Sequence, residues 1–120
     1  MYESIPQELK SVSNWCCWRA DTDPGRPGKI KKVPINTKTG GQAQSNNPDT
    51  WCDFNTAAAA ATRYSGIGFM FSGSGFFGVD IDGVEDAIED YRHGETDNIV
   101  GEFIHTLQSY SEYSQSGHGI

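Results

Sequence analysis

The sequence has 120 residues, enough for one domain with a real core and too few for two. Its 12% aromatic content favours a folded chain, and no apolar run is long enough to span a bilayer. The net charge of −7 argues against a general nucleic-acid coat, and Cys16, Cys17 and Cys52 fit neither a disulfide framework nor a zinc knuckle. Reduced core thiols in a cytosolic protein are expected instead. The N-terminus "MYESIPQELK" lacks the basic-then-apolar layout of a secretory signal.

The stretch "IPQELKS" predicts a short helical turn, and "NWCCWR" an aromatic-rich strand. "ADTDPGRPGK" is turn chemistry. "IKKVPIN" resumes an extended run, with Pro34 marking an edge strand or a strand end. After the loop "TKTGGQAQSNNP" comes a helix, with Asn47 as N-cap before Pro48 and Asp53 as a second candidate cap. The five alanines of "FNTAAAAATRY" favour that helix and let it lie close on a sheet, and Ser65-Gly66 stops it.

"GIGFMFSG" and "FFGVDIDG" are expected to be two strands paired antiparallel through Ser-Gly-Ser-Gly. "VEDAIEDY" places Val84, Ala87, Ile88 and Tyr91 on one helical face. "NIVGEFIHTL" predicts a third helix with a stripe of Ile99, Phe103 and Leu107, flanked by Val100 and Ile104 and weakened by Gly101. "SYSEYSQS" alternates like a strand. The expected fold is a single α+β domain over residues 1–120, with helices on one side of a sheet.

Charge is unevenly spread. Arg19, Arg26, Lys29, Lys31, Lys32 and Lys38 crowd into one segment, whereas from Asp80 onward there are ten acids and one base, Arg92. One half suits a polyanion and the other suits cations.

Asp80 and Asp82 carry the sharpest chemistry. In a strand they project to one face, with Val79 and Ile81 turned toward the core. Two carboxylates about 4 Å apart repel by roughly 4 kcal/mol at an effective dielectric of 20. A hard divalent cation reverses that sign, and Mg²⁺ or Mn²⁺ fits better than Zn²⁺ because the motif holds no His or Cys. Such a pair suits two-metal phosphoryl or nucleotidyl transfer. The plain alternative is that "DIDG" begins a turn.

The tail "SQSGHG" offers Ser114, Ser116, Gly117 and Gly119 as an anion nest, with His118 as a proton donor or positive charge. Taken alone it reads as a plain surface turn, and the anion nest gains weight only if it comes near the aspartates. Lys31, Lys32 and Lys38 are candidate phosphate contacts, or simply a solvated edge. Trp15 and Trp18 cannot share one side of a flat strand. Core positions are expected for both, with base stacking by one as the alternative.

In order, "NWCCWR", "KKVPINTKTG", "NNPDTWCDFNTA", "GIGFMFSG", "GVDIDG" and "YSEYSQSGHG" resemble the N-terminal catalytic region of phage and plasmid primase-polymerases, in the archaeo-eukaryotic primase superfamily. The resemblance covers nearly the whole sequence. It implies that Asp80 and Asp82 hold the catalytic metals, Mg²⁺ or Mn²⁺. It also implies that Ser116, Gly117, His118 and Gly119 begin the nucleotide-phosphate motif Ser-Gly-x-Gly-x-His. His118 falls at the variable position of that motif, and Ile120 precedes the place of its histidine. A third, metal-binding acid is expected further on. The resemblance implies an RRM-like sheet, DNA template and primer, nucleoside triphosphates, a helicase domain or partner in the full-length protein, and a cytoplasmic bacterial host for a phage or mobile element. It further implies that these 120 residues are part of a longer protein and have little polymerase activity alone. Two other readings compete. One is a haloacid-dehalogenase-like phosphatase using Asp80 as nucleophile, and the other a non-catalytic nucleic-acid-binding module.

Overall fold

The aromatic run at Trp15 becomes the central strand of a three-stranded antiparallel sheet. In the computed structural model, which describes residues 2–114 and 116–120, β1 spans Trp15–Thr22, β2 Ile30–Ile35 and β3 Gly66–Phe69, in the order β2-β1-β3. The Asp/Pro/Gly loop predicted between the first two strands closes the β1–β2 hairpin, with Cys17 opposite Ile35 and Thr22 opposite Ile30. β2 is an edge strand, as Pro34 requires. Its Pro34 carbonyl accepts from the Ala43 amide at 2.9 Å, outside the ladder.

The chain divides into two compact units, residues 1–77 and 78–120. In the first, strand alternation sends Trp15, Cys17, Val33, Ile35 and Ile67 to the face covered by α1 (Gln7–Lys10) and α2 (Phe54–Ala60). The small residues of α2 permit the close approach expected of them: Ala57 and Ala60 are buried, and Cys17 Sγ donates to the Ala57 carbonyl at 3.4 Å. Trp15 packs edge-on against Phe54 and Phe69, with ring centres 5.2 and 4.9 Å away, and its indole donates to the Leu9 carbonyl at 3.0 Å. Each such ring pair adds about 0.5–1.5 kcal/mol beyond burial. All three cysteines are free and buried. Burial, then the neighbouring Cys17, pushes the Cys16 thiol up to about 11.

Both candidate cap positions head an element, but only Asn47 caps with its side chain. Asn47 Oδ1 accepts from the Asp49 amide and starts a 3-10 turn at Pro48–Thr50, while Asp53 precedes α2. Trp18 departs from expectation. It is half-buried and lies on the opposite sheet face from Trp15, because residues three apart in a strand alternate sides. The expected hairpin of residues 66–73 with 76–83 also fails. Only β3 forms, and it pairs with β1; residues 76–83 are not a strand. Asn14 supplies part of the reason. Its side-chain amide donates to the Met70 and Ser72 carbonyls, and its own carbonyl takes the Met70 amide, turning the chain out of the ladder.

In the second unit, α3 (Glu85–Arg92) and α4 (Ile99–Leu107) form a helical pair. Ile88 is the buried centre of α3, and its acids face solvent as predicted. On α4 the buried face is Val100 and Gly101, not the expected stripe: Ile99, Phe103 and Leu107 are 48%, 37% and 49% exposed. Gly101 explains the rotation. A Cβ there would lie 1.9 Å from the Thr96 carbonyl oxygen, so this glycine is the point where the preceding loop presses on the helix. Asn98 caps α4 through Gly101 N–H at 3.0 Å and donates to the Ala87 carbonyl of α3. The predicted strand at "SYSEYSQS" does not form among the described residues, and Gln115 lies outside them. Instead Tyr113 stacks under Arg92, whose guanidinium is 4.2 Å from the ring centre. No helix among the described residues is long and apolar enough to cross a membrane.

Candidate metal and phosphate site

Asp80, Asp82 and the tail from Ser114 to Ile120 all belong to the second unit, and the fold brings them together. The Ile81 amide donates to the Ile120 carbonyl at 2.9 Å, and the Ile120 amide returns a bond to Ile81 at 3.0 Å. This reciprocal pair is one rung of an antiparallel ladder. The Val84 amide adds a bond to the His118 carbonyl at 2.8 Å. Gly119 is buried at the contact, where a Cβ would meet the Ile81 carbonyl oxygen at 2.1 Å and the Asp82 Cα at 3.3 Å. Only a glycine lets the two segments lie this close.

The two aspartates flank the half-buried Ile81 and are themselves exposed. Neither carboxylate has a hydrogen-bond or ion-pair partner among the described residues. Gly83, with φ of +69°, then turns the chain into α3. The expected burial of Val79 does not occur, since it is 48% exposed. No group of three or more His, Cys, Asp or Glu gathers among the described residues. Two unpartnered carboxylates nevertheless match the way Mg²⁺ is held, by one or two carboxylates together with water and substrate phosphates.

The tail is a tight turn that satisfies itself. The Gly117 amide donates to the Ser114 carbonyl at 3.0 Å, the His118 amide to Ser116 Oγ at 3.2 Å, and the Gly119 amide to Ser114 Oγ at 3.1 Å. Gly117 takes a φ of +78°, which the turn demands. Three amides that a nest would aim at an anion are therefore engaged internally, while the Ser116 amide makes no hydrogen bond among the described residues.

His118 Nδ1 contacts Glu85 Oε1 at the start of α3. Glu85 was not singled out from the sequence, because 33 residues separate it from its partner and no spacing rule links them. Its carboxyl is held below the ordinary glutamate range, first by its own backbone amide and then by His118. Lys32 belongs to the first unit, on the open face of the sheet beside Trp18, with Nζ 5.4 Å from the ring centre. Lys38 reaches the Asp49 carbonyl at 3.4 Å, and Lys31 lies opposite Asp21 in the β1–β2 ladder.

No family model matches the sequence. Over 125 residues the chain is 30% identical to the DNA Primase-polymerase of Nitratiruptor phage NrS-1, an alignment covering all of this chain and 16% of that protein. The chain thus spans about a sixth of the length of the curated relative it matches. From end to end it is similar to one segment of a phage DNA primase-polymerase.

Proposed function

We propose that this chain supplies the metal-binding aspartates and the start of the phosphate loop in a DNA primase-polymerase that joins nucleotides on a DNA template. The observation that carries the reading is the Ile81–Ile120 rung, which sets the exposed Asp80 and Asp82 against the Ser-Gly-His-Gly turn. End-to-end similarity to a phage DNA primase-polymerase supports it. An RRM-like sheet, a helicase partner and a host-cell cytoplasmic setting belong to the same reading.

Asp80 and Asp82 hold Mg²⁺ or Mn²⁺ through carboxylates that no neighbour among the described residues occupies. When bound, the ions supply charge neutralisation at the triphosphate and a more acidic attacking hydroxyl. Ile81, held by its two bonds to Ile120, anchors the backbone between the two carboxylates. Ser116 offers a hydroxyl and an amide to the phosphates. The Gly117, His118 and Gly119 amides join only by exchanging their internal bonds, so triphosphate binding loosens the turn. Glu85 orients the His118 ring and fixes the turn to α3.

Two measurements test this. Mn²⁺ binding to the 120-residue chain, followed by electron paramagnetic resonance, is expected to tighten with an α,β-non-hydrolysable deoxynucleoside triphosphate. Asp80→Asn or Asp82→Asn should weaken it about tenfold or more, a loss of about 1.4 kcal/mol. In a longer protein carrying this chain, either substitution should abolish primer extension. Normal extension with either one removes the assignment.

A further inference from the structure

The sheet face turned away from α1 and α2 is open. Strand alternation brings Trp18 of β1 and Lys32 of β2 onto it, and it forms a groove of about 730 Å³ whose floor includes Trp18 and Met70. Lys32, Gln42, Gln44 and Asn46 rim the groove. We propose that this groove binds an unpaired nucleotide of single-stranded DNA, the base stacking on the Trp18 indole and a backbone phosphate pairing with Lys32. The site lies wholly within residues 1–77 and uses neither aspartate, so it stands apart from the metal-site reading.

Four observations point to that occupant. First, the indole packs close against the adjacent strand at Gly66. Gly66 faces Trp18 in the register, and a Cβ there would come within 2.7 Å of the indole nitrogen. Second, the indole N–H of Trp15 is spent on Leu9 and that of Trp51 on Gln44, at 3.0 and 2.8 Å, whereas the Trp18 N–H has no acceptor among the described residues. Third, Lys32 has no acidic partner among the described residues, while Arg19 and Arg26 are paired with Asp21 and Asp23. Fourth, the side-chain amides of Gln42, Gln44 and Asn46 make no hydrogen bond among the described residues, leaving donors and acceptors for a base edge.

Charge selects the class of ligand. Residues 1–77 carry eight bases and six acids, a net +2, while residues 78–120 carry one base and ten acids, a net −9. Within a strongly acidic chain, this groove sets a cation that lacks an acidic partner among the described residues beside an aromatic plane, the pairing that single-stranded nucleic-acid grooves use. In the free chain the Lys32 ammonium lies over the indole. An arriving base takes that place, and the ammonium moves to the phosphate.

The test uses the whole 120-residue chain in EDTA, with the ¹⁵N-labelled indole N–H signals followed during titration with (dT)₈. The Trp18 signal is expected to move most. Trp18→Leu should weaken binding about tenfold or more while Trp18→Phe retains most of it. Lys32→Ala, at an exposed position that folding tolerates, should flatten the slope of log K against log salt by about 0.7. An abasic octamer should bind at least about fivefold more weakly than (dT)₈. An unmoved Trp18 signal, equal binding of the abasic strand, or equal displacement by poly-glutamate would each overturn the proposal.

Discussion

Replacing Gly119 by alanine tests the contact on which the metal-site reading depends. The added Cβ would lie 2.1 Å from the Ile81 carbonyl oxygen and 3.0 Å from its carbon, against an ordinary contact of at least 3.4 Å. The segments must separate by more than an ångström, and the two Ile81–Ile120 bonds at 2.9 and 3.0 Å cannot both survive. At about 1 kcal/mol each, their loss removes about 2 kcal/mol from docking of the tail, or about 30-fold in the docked-to-undocked ratio. Gly119 does not occupy the left-handed region, so the clash alone drives the effect. Amide hydrogen exchange reads it directly. Protection of the Ile81 and Ile120 amides should fall about 30-fold, while that of Ile88, bonded to the Val84 carbonyl inside the helical pair, stays unchanged. Gly117→Ala is the comparison. It has open space around its Cβ but a φ of +78°, so it should cost only about 1–2 kcal/mol of turn strain. If Gly119→Ala leaves both protections within about threefold, the reasoning from the close approach fails.

Gly101→Ala sets helix propensity against sterics. Alanine gains about 1 kcal/mol in a helix, but a Cβ 1.9 Å from the Thr96 oxygen costs about 2–3 kcal/mol or more. Net destabilisation is expected in urea unfolding followed by circular dichroism, and a gain in stability would contradict the loop contact. Tail docking should also depend on acid. The Glu85 carboxyl is depressed on folding, so its contribution is complete above the ordinary value of 4.5 and is lost as pH falls through the lower folded value. Ile120 amide exchange across that window should show the loss in the wild type and not in Glu85→Gln. Finally, with the Cys16 thiol pushed up to about 11, only about one in a thousand is thiolate at pH 8. Disulfide-exchange reagents should label it far more slowly in the native chain than in urea, and equal rates would show that the thiol is not buried.

The first half of the fold is legible because its signals are local. Pro34 marks an edge, Asn47-Pro48 a turn start, and the alternation through Trp15 and Cys17 a half-buried strand, and each depends on near neighbours. The errors arise where distant backbone decides. "FFGVDIDG" has strand propensity but no neighbouring strand over its length, and only Ile81 finds a partner. The stripe on α4 follows the apolar period, yet Thr96 pressing on Gly101 selects a different face. The approach of Asp80 and Asp82 to the glycine-rich tail rests on the Ile81–Ile120 bonds, which no local spacing rule reveals. Nor does one reveal the Glu85–His118 contact, since neither residue lies in a shared local pattern. Trp18 was readable in principle: three residues from a core tryptophan, it had to emerge on the other side.

The sheet has two unlike borders. Along β2 the chain folds back on itself, with Ile35 bridged to Gln42 and the Pro34 carbonyl already claimed by Ala43. That border is closed by its own loop at Pro34 and Ile35, and along residues 30–33 it carries Lys31 and Lys32, whose charge discourages a further strand. Addition of a strand at β2, whether by a partner or by unwanted aggregation, is therefore opposed by the folded-back loop at one end and by lysine charge at the other.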